Sequence, residues 1–152
     1  MALTKIKPNA VDETLDFSFD DLNANTMSIL GTSTFQQVTE KVQLKTAANG
    51  TVTHDYSLGT LFYHSSISAN FTANITNVPT TNDRSIVVSI ILDQGATAYI
   101  PNALQIDGAS QTINWVGGST PTPIANKKEL VSFVLVRISS SWTVLGSITT
   151  FG

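Results

Sequence analysis

Hydrophobic and polar residues alternate with a period of two along most of this chain, and that pattern limits the fold more than any other feature. Successive side chains of a strand point to opposite faces, so the alternation marks half-buried strands rather than helices. Phe71, Ala73 and Ile75 alternate with Asn70, Thr72, Asn74 and Thr76. Leu15, Phe17 and Phe19 oppose Asp16, Ser18 and Asp20 in the same way, and Val52, His54, Tyr56 and Leu58 share one face ahead of Leu61-Phe62-Tyr63. Ser33 to Lys45 reads as strand from Val42, Leu44 and its β-branched residues, although Phe35, Val38 and Val42 also have helical spacing. Ser85 to Leu92 is apolar on both faces, which suits a central strand or a subunit contact. Tyr99 to Ile106 and Gln111 to Val116 are further strands. Leu130 to Ile138 and Trp142 to Ile148, joined by Ser139-Ser140-Ser141, read as a hairpin.

Turn chemistry falls between these runs. Asn49-Gly50 is a strong hairpin signal because both residues tolerate positive φ; Val78-Pro79, Asp107-Gly108 and Gly117-Gly118 mark other breaks. Eight or more short strands at roughly ten-residue spacing imply an all-β chain, an antiparallel β-sandwich of jelly-roll type. A length of 152 residues suits one hydrophobic core. Five of the eleven carboxylates lie between Asp12 and Asp21, so residues 1–30 read as an N-terminal arm or edge segment for attachment, and 31–152 as the sandwich. No internal repeat is evident.

Charge narrows the function. Charged residues are only 12 % of the chain, and Tyr56 to Asn82 is a 27-residue span with none. Soluble monomers normally intersperse charges over their surface, so this span suggests either burial in an assembly or a sheet with Ser/Thr on its wet face. A net charge of −3 and a single adjacent basic pair, Lys127-Lys128, give no footprint for nucleic acid. No run of about 18 apolar residues exists for a membrane helix, and the N-terminal residues lack the apolar core of a signal peptide. Without cysteine there is no disulfide and no thiolate chemistry.

Catalytic constellations are missing. The acids offer only the adjacent pairs Asp12-Glu13 and Asp20-Asp21, whose members face opposite ways in a strand, and no Gly-x-Ser-x-Gly elbow or Gly-rich phosphate loop occurs. The chain reads as non-enzymatic, with no cofactor. His54 and His64 lie on separate strands and would meet across a ladder; without an acid at ligand spacing they read as hydrogen-bonded core or interface residues rather than metal ligands. For a sugar or partner contact the candidates are Tyr99, Asn114, Trp115, Ser119 and Thr120, with Gln111 and Asp107 nearby, because aromatic faces stack on sugars while amides and hydroxyls bind their hydroxyl groups. Alternation nevertheless puts Ile113 and Trp115 on one face against Thr112 and Asn114, the arrangement of a core tryptophan. The loop Ser119 to Ala125 then remains for recognition.

Four segments carry a resemblance: Asn77 to Arg84 (NVPTTNDR), Gln94 to Tyr99 (QGATAY), Ile113 to Gly118 (INWVGG) and Trp142 to Gly146 (WTVLG). In this combination, within Val52 to Gly152, the chain resembles virion structural proteins of marine tailed phages, especially those of cyanobacteria, which are tail-fibre-like or capsid-associated. The resemblance implies a β-sandwich on the virion surface, with no catalytic residues. It also implies an oligomer, read here as a homotrimer or other homo-oligomer that contacts capsid or tail proteins, with assembly in the host cytoplasm; the alternatives are a tail-fibre or tail-appendage module, or a carbohydrate-binding module that recognises host surface glycans. Its low charge fits such contacts, since charged residues are depleted at interface cores. Capsid decoration is favoured over tail fibre because the chain has no long repetitive shaft.

Overall fold

The apolar stripes turn inward from two facing β-sheets. The structure, a computed structural model, describes residues 36–152; the arm at 1–30, the strand around Phe17 and the start of the Ser33 to Lys45 run lie outside the described residues. Ten strands follow in order: β1 (Val42–Thr46), β2 (Gly50–Asp55), β3 (Leu61–Ser65), β4 (Phe71–Thr76), β5 (Arg84–Asp93), β6 (Pro101–Ile106), β7 (Ala109–Gln111), β8 (Ile113–Trp115), β9 (Lys128–Ile138) and β10 (Ser141–Phe151). One sheet has the order β1-β3-β5-β9-β10-β8 and the other β2-β4-β6-β7.

The first six strands alternate between the sheets. Each runs parallel to the strand two before it: β1 with β3 and β3 with β5 in the larger sheet, β2 with β4 and β4 with β6 in the smaller. The chain therefore winds through three coils of a two-sheet solenoid. It then extends the larger sheet with the antiparallel strands β9 and β10, and β8 pairs parallel to β10 at the edge.

An all-β sandwich is thus present, but its sheets are mixed rather than antiparallel, and the order is not that of a jelly roll. A period of two tells which face a residue takes, not which strand lies beside it. The Asn49-Gly50 turn is the clearest case. It closes no hairpin; positive φ at Ala47 (53°) and Gly50 (57°) carries the chain across from one sheet to the other. Successive coils stack through this turn, with Ser68 N–H donating to the Ala48 carbonyl at 3.1 Å, and the register pairs Thr51 with Thr72. Ala48-Asn49-Gly50-Thr51 and Ala69-Asn70-Phe71-Thr72 are therefore equivalent positions, a short repeat hidden in the sequence. Gln111 to Val116 is split likewise, β7 belonging to the smaller sheet and β8 to the larger. The β9–β10 hairpin forms as read, through a two-residue turn with positive φ at Ser139 (49°) and Ser140 (64°).

The inner faces meet in one core. Phe62, Val88, Ile90, Leu92, Val131, Phe133, Leu135 and Val144 come from the larger sheet, and Phe71, Ala73, Ile75, Leu104 and Ile106 from the smaller; all are buried. Each fully buried large side chain contributes roughly 1.5–3 kcal/mol over leaving it in water.

Candidate functional site

The outer face of the larger sheet is where that sheet's remaining apolar residues point. Along one row, register places Asn114, Leu145, Val134 and Val87 side by side; along the next come Ser147, Ser132, Ser89, Leu61 and Val42; along a third, Thr149, Leu130, Ile91, Tyr63 and Leu44. Val42, Leu44, Val87 and Leu145 are exposed. The apolar second face read for Ser85 to Leu92 is this surface. No residue in these three rows is charged. Charges enter only at the rim, where Lys128 and Asp93 pair at 2.7 Å and Tyr63 donates its hydroxyl to Asp93 at 2.7 Å. Those donors hold the Asp93 carboxyl below the usual carboxylate range.

Two shallow depressions flank the serine row. One, of about 290 Å³, is lined by Ile91, Lys128, Glu129, Leu130 and Phe151. The other, of about 410 Å³, lies among Asn114, Trp115, Ser132, Val134, Leu145 and Ser147.

Of the five candidate contact residues, the structure thus brings Asn114 and Trp115 to one depression and leaves the others elsewhere. Trp115 pairs in register with Gly146, and Gly146 with Phe133. Its ring lies across the glycine, with its centroid 5.7 Å from that of Phe133. A Cβ on Gly146 would come within 2.8 Å of Trp115 Cε3 and 2.7 Å of Ile113 Cγ2. Trp115 is partly buried against the core, as the alternation implied. Asn114 spends an amide hydrogen on the Val144 carbonyl at 3.0 Å. Tyr99 precedes β6 rather than opening it; the Gln94 side chain accepts from its N–H at 3.0 Å and donates to its carbonyl at 2.7 Å. Ser119 and Thr120 are exposed beyond the Gly117-Gly118 turn and line neither depression.

The segments that carry the resemblance hold the framework together. Asn82 in the first accepts the Ser140 N–H at 2.9 Å and so caps the β9–β10 turn, and Arg137 Nε donates to the Thr80 carbonyl at 2.9 Å. Arg137 also lies over the Trp142 ring, 5.1 Å from its centroid. Gln94, from the second, reaches the buried carboxylate of Glu129 at 2.8 Å. Glu129 accepts in addition from the Ile124 N–H at 3.0 Å and the Thr150 hydroxyl at 3.1 Å, which ties two loops to the end of the sandwich. Alternation gave no sign of this buried acid.

His54 and His64 meet, though between the sheets rather than across a ladder. Both are fully buried, and their Nε2 atoms lie 2.9 Å apart. Phe71 stacks on both rings and Phe62 meets His54 edge-on. One ring must donate and the other accept, so the acceptor carries its proton on Nδ1. Neither Nδ1 has a partner. Burial pushes the His54 pKa down to about 3, aided by His64 and Lys45, and burial followed by Lys45 pushes that of His64 to about 4. The pair is neutral at pH 7. Among the described residues no group of three or more His, Cys, Asp and Glu is placed to hold a metal.

The chain matches no family model, no curated protein and no solved structure.

Proposed function

We propose that this chain is a non-enzymatic structural protein of a tailed-phage particle, an oligomeric β-sandwich on the virion surface that serves as capsid decoration. The observation that carries the proposal is the uncharged outer face of the larger sheet, which leaves Val42, Leu44, Val87 and Leu145 exposed on β1, β5 and β10, with half-buried Leu61 and Val134 on the strands between them. Contiguous exposed apolar surface of this kind marks an interaction site. The framework roles of the four segments fit the resemblance to virion proteins, because they preserve a scaffold rather than a reaction centre.

Density-gradient fractions of particles, probed with an antibody to the chain, test the proposal. Co-sedimentation with the capsid that survives a high-salt wash is the expected result. A chain confined to the soluble fraction contradicts it.

A second reading, a module that recognises host glycans, draws on the depression lined by Asn114 and Trp115. It is the weaker of the two because the indole lies over Gly146 toward Phe133 and the Asn114 amide is already engaged. A glycan array separates the readings. Sugar binding lost in a folded Asn114→Ala variant would favour the module.

A further inference from the structure

We propose that the outer face of the six-stranded sheet is the surface through which two copies of this chain associate, an inference that rests on the virion reading but is tested separately from it. Three observations favour a second copy as the occupant. The first is electrostatic. Asp93 and Lys128 at the rim neutralise each other, so the face has no sign with which to recruit a charged partner. An uncharged face is compatible with itself.

The second is the pattern. The serine row, Ser89, Ser132 and Ser147, lies between a row with Val87, Val134 and Leu145 and a row with Ile91, Leu130 and Leu44. A two-fold axis along the serine row lays apolar row on apolar row and hydroxyl on hydroxyl, the self-match an isologous contact requires. Sheets packed in this way repeat the geometry of the sandwich core.

The third is size. Five strands about 4.8 Å apart, with rows about 6.8 Å apart along them, make a patch of roughly 24 by 20 Å. Two such faces together bury on the order of 1,000 Å², the lower end for a specific interface.

Light scattering after gel filtration of the whole chain reads the outcome. Wild-type protein is expected to be a dimer or a multiple of one. Val87→Lys and Leu145→Glu, at residues 49 % and 46 % exposed, place a charge on the face without entering the core and should weaken association roughly a hundredfold while circular dichroism stays unchanged. Ala103→Lys, at an exposed residue on β6 of the smaller sheet, should associate as wild type. Solvent accessibility of the Val87 and Leu145 methyls in wild type, followed by NMR through a dilution series, needs no variant and should rise as the protein is diluted. A wild-type monomer at high micromolar concentration, charged variants that associate unchanged, or methyls open to solvent in the oligomer would overturn the inference. Association through this face by a chain missing from particles would instead leave the inference standing and remove the virion reading.

Discussion

Mild acid should destabilise this protein at a pH above that at which its carboxylates titrate. His54 and His64 are neutral and buried in the native state, with pKa values pushed down to about 3 and about 4, whereas in the unfolded chain each titrates near the ordinary histidine value of about 6.5. Below pH 6.5 the unfolded state therefore binds protons that the native state does not, and stability falls as the pH falls through 6.5 toward 4. At pH 5 the unfolded state is favoured by about 2 kcal/mol per histidine, about 4 kcal/mol for the pair. Whole domains are stable by only about 5–15 kcal/mol. The pair thus removes a large share before Asp55 and Asp93, whose pKa values are both lowered by hydrogen-bond donors, begin to contribute at lower pH.

Urea unfolding followed by the fluorescence of Trp115 and Trp142 at pH 7.5, 6 and 5 measures this directly. A His54→Leu/His64→Leu double variant should show a nearly flat profile over the same range. It should also fold at pH 7, because the change removes two unpartnered Nδ1 atoms together with the bond between the rings. Wild-type stability at pH 5 within about 1 kcal/mol of that at pH 7.5 would refute the reasoning.

Three other outcomes follow from particular contacts. Gly146→Ala forces a Cβ against Ile113 and Trp115 and should cost about 1–3 kcal/mol, seen as a lower Tm. Glu129→Ala leaves the Gln94 amide, the Ile124 N–H and the Thr150 hydroxyl without their acceptor. It should destabilise by about 2 kcal/mol or more and loosen 94–100 and 121–127 in hydrogen exchange. Trp115→Ala removes a ring packed on Phe133 and should lower thermal stability by several degrees even where no ligand is present.

Much of the fold was legible because burial has a period. Phe71, Ala73 and Ile75 point inward as their alternation requires, and Trp115 joins Ile113 against the core. Pairing was not legible, since parallel and antiparallel neighbours impose the same alternation on a strand; Ala-Asn-x-Thr at 48–51 and 69–72 marks the winding only once the register is known, because the same pattern recurs at 73–76 inside β4. Nor does alternation carry a sign. In β1 the inner face, beside Phe62 and His64, belongs to Gln43 and Lys45, while Val42 and Leu44 face outward. That His54 and His64 meet as hydrogen-bonded core residues was legible, but not that they do so between the sheets, because contacts between facing sheets depend on how the sheets are offset and not on either strand's own pattern. Glu129 stood at the start of an apolar run, where only its three donors reveal why a carboxylate is buried.

Copy number bears most directly on the proposed role. Quantitative mass spectrometry of particles purified from the cells that make this chain should find it in a fixed ratio to the major capsid protein, unchanged from one preparation to the next. A trace or variable amount, with most of the chain free in the lysate, would contradict a place in the virion.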